Sequence, residues 1–389
     1  MPQPTRYSLY WGTDDNVEDI NRYTTGGYHP IRLGDILESD TKSYHLIHKL
    51  GRGSFSTVWL ARTLNDAASS PKFVALKICV ADAHPQQELK VHSRLPIAQG
   101  RHVLQLFDKF SLRGPNGTHV VLVHDVLGSF LDLPDLVQTQ TRQNHILIFA
   151  NLNKDIHPGN IGVCLPTLEE HSENDILNYF GPPEITPILP RQPPPRPEAL
   201  PPYLVPPISL AYYLKKKDPS FVESSLHVEI MDLGNATIAD EPPCPSCTPA
   251  TVCAPEILFE RVTTKTNPPA TFASDIWSLA CTLYEIVFRT RIFHFASYND
   301  ALMEDMAKLC GEIPQAWLPH LEAEFLNNPI SENTADAEWK RRLDPCTHGW
   351  MAADEAAEFG ALLRTMLKMD ASARPSAVEV LRHPWFKSC

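Results

Sequence analysis

Residues 151–163 read NLNKDIHPGNIGV and place Asp155 and Asn160 five positions apart, around a Pro-Gly turn. A carboxylate at the first position can accept the proton of an attacking hydroxyl group. An amide oxygen at the second position is a ligand that Mg²⁺ accepts. The spacing therefore predicts a loop built for phosphoryl transfer, and such a loop needs further polar groups elsewhere in the chain.

A glycine-rich segment, LGRGSFSTVWLA at residues 50–61, leaves one predicted strand and enters another. Gly51 and Gly53 have no Cβ, which lets the backbone bend over a phosphate group. A pair of glycines alone is equally compatible with a simple hairpin. The downstream sequence favours the phosphate-binding interpretation.

An apolar strand, VALK at residues 74–77, ends in Lys77. An unpaired ammonium group among apolar neighbours is costly, so this lysine needs a partner. Glu88, on the short predicted helix 87–96, is the expected partner. A Lys–Glu pair of this kind, directed at the phosphates of ATP, is the arrangement that protein kinases use.

Further acids and one arginine follow the loop in a regular order. Asp232, in MDLG, supplies a second Mg²⁺ ligand, and Gly234 permits the turn after it. Glu256, in an Ala-Pro-Glu triplet, is expected to form a buried ion pair with Arg374 that braces a peptide-binding segment. Asp275, at the start of a predicted helix, is expected to hold the backbone of the catalytic loop.

The chain of 389 residues is too long for one small core, which predicts two lobes or domains. Because the motifs described above occur in this order, we predict an α+β, bilobal protein-kinase-like fold. Residues 1–42 form an N-terminal extension, and residues 43–128 form a small antiparallel first lobe of five strands and one helix. Residues 129–388 form a mainly helical second lobe, with a Pro-rich spacer at about 165–225.

The spacer contains GPPEITPILPRQPPPRPEALPPYLVPP at residues 181–207, which favours polyproline II over helix or central strand. We interpret it as a semi-rigid segment that crosses the surface. The alternative is a ligand for an SH3-type partner.

Composition and charge narrow the function classes. No run of eighteen apolar residues occurs, so no membrane-spanning helix is expected. The first residues lack the features of a secretory or transit signal, which predicts a reducing compartment in the cytoplasm or nucleus. The formal net charge of −12 argues against direct nucleic-acid binding and suits a basic peptide substrate.

The sequence resembles the eukaryotic protein kinases, and within them the SR-protein kinases, over roughly residues 25–388. The motifs that carry the resemblance are GGYHPIRLGDIL (26–37), FSTVWLA (55–61), the hinge ending in VLG (126–128), IMDLGNA (230–236) and RPSAVEVLRHPWF (374–386). The resemblance implies a monomeric Ser/Thr kinase that transfers the γ-phosphoryl group of ATP, with Mg²⁺, to serine in Arg-Ser-rich splicing factors. A role in the regulation of mRNA splicing would follow.

The resemblance also distributes roles among the residues. Nucleotide contacts fall on Leu50, Gly51, Gly53, Ser54, Val58, Ala75, Lys77, Asp125 and Leu127. Catalytic roles fall on Asp155, Lys77, Glu88 and His157, and Mg²⁺ ligation falls on Asn160 and Asp232. Adenine would bond to the backbone of Asp125 and Leu127, with His124 in place of the usual Phe behind it. Glu304 and Asp305 occupy part of an acidic docking region, although a solvated helix start explains them equally well.

Several departures surround the catalytic loop. Asn153 stands where the family has His, and His157 stands where it has Lys. Only 26 residues separate Gly128 from Asp155, too few for the helices that the family places there. We therefore expect an exposed apolar groove along the helix 274–288.

These departures keep two other functions open. The first is a pseudokinase or defective variant that binds partners or nucleotide without turnover. The second is a small-molecule phosphotransferase, because DIHPGN also resembles the loop of aminoglycoside and choline-type kinases. The APE segment, the DIWSLAC helix and the ARPS arginine argue against the second alternative.

Overall fold

A computed structural model of the chain describes residues 10–11, 16–64, 71–94, 102–129, 132, 156–190, 192–218, 227–236, 245–294, 299–321, 330–344 and 352–386. The chain forms two compact units. The first, the sheet unit, comprises Met1–Gln86, Leu104–Gly128 and Val163–Ser224. The second, the helical unit, comprises Gln87–Val103, Ser129–Gly162 and Ser225–Cys389.

The strands and helices confirm the predicted α+β class. The strands are β1 (Tyr10–Trp11), β2 (Ile36–Glu38), β3 (Ser43–Gly53), β4 (Ser56–Thr63), β5 (Phe73–Cys79), β6 (Leu106–Gly114), β7 (Gly117–His124), β8 (Leu127–Ser129), β9 (Ile161–Cys164), β10 (Thr186–Pro187), β11 (Leu189–Pro190), β12 (Tyr203–Leu204) and β13 (Val228–Ile230). The helices are α1 (Gln86–Arg94), α2 (Glu173–Phe180), α3 (Leu210–Lys217), α4 (Pro255–Thr264), α5 (Phe272–Phe288), α6 (Asn299–Cys310), α7 (Glu332–Arg342), α8 (Ala353–Met366) and α9 (Ala377–Leu381).

The sheet unit is built on a six-stranded sheet with the order β2-β3-β4-β5-β7-β6, in which every neighbouring pair is antiparallel. Alternating apolar side chains of the central strands form its core, among them Leu46, Trp59, Leu76 and Val121. The sequence predicted five strands. The sixth, β2, lies in the segment that was assigned to the N-terminal extension.

Residues 16–35, here called the leader, precede the sheet and fold onto it. Val17, Tyr23 and Tyr28 of the leader are buried with Val80 and Leu204 in a small cluster of their own. The leader is therefore part of the sheet unit.

The Pro-rich stretch also contributes to the core of the sheet unit. Ala199, Leu204 and Val205 are 3%, 5% and 1% exposed. Its strand β12 pairs with β10, and the following helix α3 buries Tyr213 and Leu214. Most described residues of this stretch are exposed or half-buried, and the interpretation as a spacer that crosses the surface stays a prediction, but apolar residues between its prolines are buried.

The helical unit packs around α5, whose residues from Ser274 to Tyr284 are all buried. The predicted helix is confirmed, but its cap is Thr271, which forms a capping box with Ser274. A cavity of about 410 Å³ opens beside the first turns of α5, lined by Phe272, Ile276 and neighbouring side chains. This cavity lies where the predicted apolar groove would begin, and the groove along the rest of α5 stays a prediction.

Other predicted boundaries stay predictions. The compact units divide the chain differently from the predicted lobes, since Val163–Ser224 belongs with the sheet. The shortened region before the catalytic loop, 129–154, lies outside the described residues except for positions 129 and 132. Within the described part of the chain, no helix combines the length and apolar character needed to cross a membrane.

Candidate active site

The glycine-rich segment forms a hairpin at the end of β3 and the start of β4. Gly53 pairs with Ser56, which leaves Ser54 and Phe55 at an exposed tip. Neither Gly51 nor Gly53 has a positive φ, and a Cβ at either position would meet no atom of the described residues within 4 Å. The packing of the described part of the chain therefore does not require these glycines, and it leaves open space over the hairpin.

Lys77 lies in the same row of the sheet as this hairpin. Gly51 pairs with Val58 across β3 and β4, and Val58 pairs with Lys77 across β4 and β5. Directly opposed residues of adjacent strands place their side chains on the same face. Ala75, two residues before Lys77, is on this face too and is 7% exposed. The sheet unit thus places predicted nucleotide contacts on one surface.

The predicted hinge follows β7. The Asp125 side chain accepts a hydrogen bond from the Val126 amide at 2.8 Å, and burial raises the pKa of its carboxyl group. His124 is 3% exposed, and its Nδ1 lies 3.0 Å from the carbonyl oxygen of Gln105. Adenine binding to the backbone of Asp125 and Leu127 stays a prediction.

In the helical unit, two predicted acidic site residues lie around Gly234. The Oδ1 of Asp232 and the Oε2 of Glu88 lie 3.5 and 3.9 Å from the position that a Cβ on Gly234 would occupy. Asp232 has a left-handed backbone with φ 57°, and the side chain of Leu233 turns into a small core beside α1. The bond from Gln87 Nε2 to the carbonyl oxygen of Ala236, 2.7 Å long, holds α1 against this turn.

Asn160 reaches the same turn through the backbone. The amide of Met231 donates to the carbonyl oxygen of Asn160 at 2.9 Å, so Asn160 and Asp232 lie beside each other although 72 positions separate them in sequence. Asn160 is 8% exposed. The proximity of these two residues is what the predicted Mg²⁺ site requires.

His157 has a structural contact in the turn before Asn160. Its Nδ1 accepts a hydrogen bond from the amide of Gly159 at 3.1 Å, which orients the imidazole ring. Its predicted catalytic role stays a prediction. Asp155 and Asn153 lie outside the described residues. Lys77 and Glu88 belong to different compact units, so their pairing stays a prediction as well.

The predicted ion pair between Glu256 and Arg374 is confirmed. The two terminal guanidinium nitrogens of Arg374, Nη1 and Nη2, donate to the Glu256 carboxylate, at 2.9 and 2.6 Å. Arg374 also donates to the carbonyl oxygens of Lys368 and Ala273 and lies over the Trp277 ring, 5.2 Å from its centroid. A buried, two-point contact of this kind fixes the start of α4, on which Glu256 lies.

The segment before α4 is fastened by a residue that the sequence analysis missed. Arg261 donates to the carbonyl oxygens of Ser246 and Thr248, at 2.7 and 3.2 Å. The hydroxyl-bearing residues Ser246, Thr248 and Thr251 of this segment are all buried. A single arginine inside a helix carries no motif, so the sequence offered no indication of this contact.

Glu304 and Asp305, the predicted docking acids, have cationic partners within the helical unit. Glu304 lies 2.5 Å from Lys308, one turn along α6, and Asp305 lies 2.6 Å from Arg342. Their charges are therefore partly compensated before any substrate arrives.

Comparison with known proteins adds to this geometry. Residues 216–386 match the family model described as "Protein kinase domain". The match spans 171 of the 389 residues, so the chain is similar to this family over somewhat less than half of its length. The match includes Asp232, the Glu256–Arg374 ion pair and α5, and the predicted protein-kinase-like fold is confirmed.

Curated relatives confirm the resemblance to SR-protein kinases. The chain is 39% identical over 142 residues to "Serine/threonine-protein kinase spk-1" of Caenorhabditis elegans, which covers 34% of this chain and 13% of that protein. It is 37% identical over 191 residues to human "SRSF protein kinase 3", and the match covers 42% of this chain and 32% of that protein. It is 38% identical over 128 residues to "Serine/threonine-protein kinase SKY1" of Saccharomyces cerevisiae, and the match covers 30% of this chain and 16% of that protein. The chain thus spans a third or less of the length of these relatives.

Proposed function

We propose that the protein is an ATP-dependent Ser/Thr kinase of the SR-protein kinase type, which transfers the γ-phosphoryl group to serine in Arg-Ser-rich splicing factors. The observation that carries the proposal is the backbone bond between Met231 and Asn160. It brings the backbone of Asn160 next to Asp232, whose carboxylate lies near Gly234 as the Glu88 carboxylate does, so three separate segments of the sequence meet at this turn.

The side chains present suit both Mg²⁺ and a nucleotide. Asp232 and Asn160 offer hard oxygen atoms, which Mg²⁺ prefers, and would hold the ion. When bound, Mg²⁺ neutralises charge on the phosphates of ATP. The open space at Gly51 and Gly53 accommodates phosphate oxygens close to the backbone, and Lys77, in the same row, supplies a positive charge.

Asp155 is the residue proposed to orient the serine hydroxyl group and to accept its proton. The ion pair between Glu256 and Arg374 supports the segment that would receive the peptide. The net charge of −12 favours basic substrates over nucleic acid. We further propose a monomer that acts in the cytoplasm and nucleus, without membrane attachment.

A phosphate-transfer assay with Mg·ATP and an Arg-Ser repeat peptide tests the proposal. We expect transfer to serine by the full chain and a loss of at least about 100-fold in Asp155→Ala, the effect of losing a positioned proton acceptor. Asp336→Asn is the matched control, because Asp336 is an exposed acid that pairs only with Arg364 among the contacts seen here.

Two results would replace the proposal by its alternatives. Equal background from the wild type and Asp155→Ala, with Mg·ATP still bound, would indicate a pseudokinase. Transfer to a small alcohol or amine but not to the peptide would indicate a small-molecule phosphotransferase.

A further inference from the structure

The leader lies against the tip of the glycine-rich hairpin, and both belong to the sheet unit. The Tyr28 hydroxyl donates a hydrogen bond to the carbonyl oxygen of Gly53 at 2.7 Å. The Arg22 guanidinium donates to the carbonyl oxygen of Ser54. Arg22 also lies over the rings of Tyr28 and Phe55, 5.1 and 5.9 Å from their centroids.

A tight turn brings Arg22 and Tyr28 side by side. The Tyr28 amide donates to the carbonyl oxygen of Arg22 at 3.0 Å, which closes the turn. Gly26 has φ +85°, and a Cβ on Gly27 would lie 1.7 Å from the carbonyl oxygen of Arg22. The two glycines of the GGYHP motif are therefore what allows both donors to face the hairpin.

The leader is anchored without the help of these two side chains. The carbonyl oxygens of Gly26 and Gly27 accept hydrogen bonds from the amides of Asp82 and Ala81, at 2.8 and 3.0 Å. Near its start, the fully buried Lys49 ammonium pairs with the Glu18 carboxylate. Removing the hydroxyl group of Tyr28 would thus leave the leader in place.

Three successive carbonyl oxygens at the hairpin tip each accept a hydrogen bond. Gly53 is bonded by Tyr28, Ser54 by Arg22, and Phe55 by the Val80 amide at 2.9 Å. In a planar trans peptide the C=O and N–H groups point in opposite directions. The amide N–H groups of residues 54–56 follow these carbonyl groups in the chain. They therefore point away from the side chains of Tyr28 and Arg22 and from the Val80 amide.

We propose that Arg22 and Tyr28 are positioning residues that fix the hairpin tip in the orientation needed to receive the phosphates of ATP. This proposal rests on the proposed function for its ligand, Mg·ATP. Its structural part, that the leader fixes the hairpin, stands on the contacts alone. Ser54 and Phe55 are exposed, and among the described contacts only the Val80 amide would still hold a tip carbonyl without the leader.

The test compares Tyr28→Phe and Arg22→Met with the wild-type full chain. Tyr44→Phe is the matched control, because it also deletes a buried tyrosine hydroxyl bond of the sheet unit, to Asp108 at 2.9 Å. Hydrogen exchange of the amides of residues 51–57 reports on the hairpin. Calorimetric titration with Mg·ATP reports on the ligand.

In each leader variant we expect exchange in the hairpin to be about fivefold faster, the factor that one net hydrogen bond represents. Mg·ATP binding should weaken by about two- to fivefold. The control should leave both properties unchanged.

Unchanged exchange in both leader variants would overturn the proposal, as would equally faster exchange throughout the sheet unit. Faster hairpin exchange with unchanged affinity for Mg·ATP would overturn the link to the nucleotide. If the wild type bound no Mg·ATP while hairpin exchange still rose in the variants, the proposed function would fail and the structural role of the leader would stand.

Discussion

A Cβ at Gly27 of the leader would lie 1.7 Å from a backbone oxygen, whereas a Cβ at Gly51 or Gly53 of the hairpin would meet no atom within 4 Å in the part of the chain that the structure describes. The leader needs its glycines because its turn is tight and closed by backbone hydrogen bonds. The hairpin has no such need in the protein alone. Glycines that packing does not require leave room for a ligand to approach the backbone, which is the role proposed for Gly51 and Gly53.

The largest effect is expected from Gly27→Ala. The added Cβ collides with backbone that the turn cannot move, so we expect the free energy of unfolding to fall by about 3–5 kcal/mol. Urea denaturation of the full chain measures it, with Gly53→Ala as the control that should show no such loss. A loss below about 1 kcal/mol in Gly27→Ala would remove the structural half of the comparison.

Acidification should destabilise the sheet unit where His29 of the leader packs against Gly114. The His29 ring lies where a Cβ on Gly114 would be, 2.2 Å from its Cε1, and its pKa is lowered to about 4 by burial and by His119.

Between about pH 6.5 and pH 4 the unfolded chain binds a proton at His29 that the folded chain does not bind. The free energy of unfolding should therefore fall as the pH falls through this window. The full effect is on the order of 3 kcal/mol, since each pKa unit represents 1.36 kcal/mol. Denaturation at several pH values checks this, and His29→Gln should show a shallower dependence. An identical dependence in both proteins would exclude His29 as the cause.

The smallest effect on stability is expected from Gly51→Ala and Gly53→Ala. We expect the free energy of unfolding to change by less than about 1 kcal/mol, and restriction of the unfolded chain favours a slight gain. Affinity for Mg·ATP should nevertheless fall by about tenfold, or about 1.4 kcal/mol, because the new methyl groups occupy the space over the hairpin. Parallel denaturation and calorimetry measure both quantities. Unchanged affinity in both variants would leave the hairpin glycines without a function.

Motifs predicted those parts of the site in which a short pattern specifies chemistry. The spacing of Asp155 and Asn160, the MDLG turn and the residues of the Glu256–Arg374 pair were all recognisable in sequence, and the structure confirms the ion pair and the proximity of Asn160 and Asp232. Apolar periodicity also predicted five strands of the six-stranded sheet, α1 and α5, whereas β2 and the elements of the Pro-rich region, such as β12 and α3, were not predicted.

The contacts between distant segments could not be predicted. Tyr28 and Gly53 meet because a turn in the leader sets their approach, and no pattern in either segment specifies the other. The burial of Leu204 and Val205 was missed because the prolines around them dominate the local composition. Arg261 was missed because one basic residue in a helix usually faces solvent.

The central claim is that Asp232 helps to bind Mg²⁺ together with ATP, and calorimetric titration with ATP, in Mg²⁺ and in EDTA, tests it most directly. Asp232→Asn is the suitable variant, because Asn tolerates the left-handed backbone at φ 57°. We predict that Mg²⁺ strengthens ATP binding to the wild type. In Asp232→Asn, the ratio of ATP affinity in Mg²⁺ to ATP affinity in EDTA should be at least about tenfold smaller. If the wild type bound ATP equally with and without Mg²⁺, or if the variant kept the full gain, the claim would be contradicted.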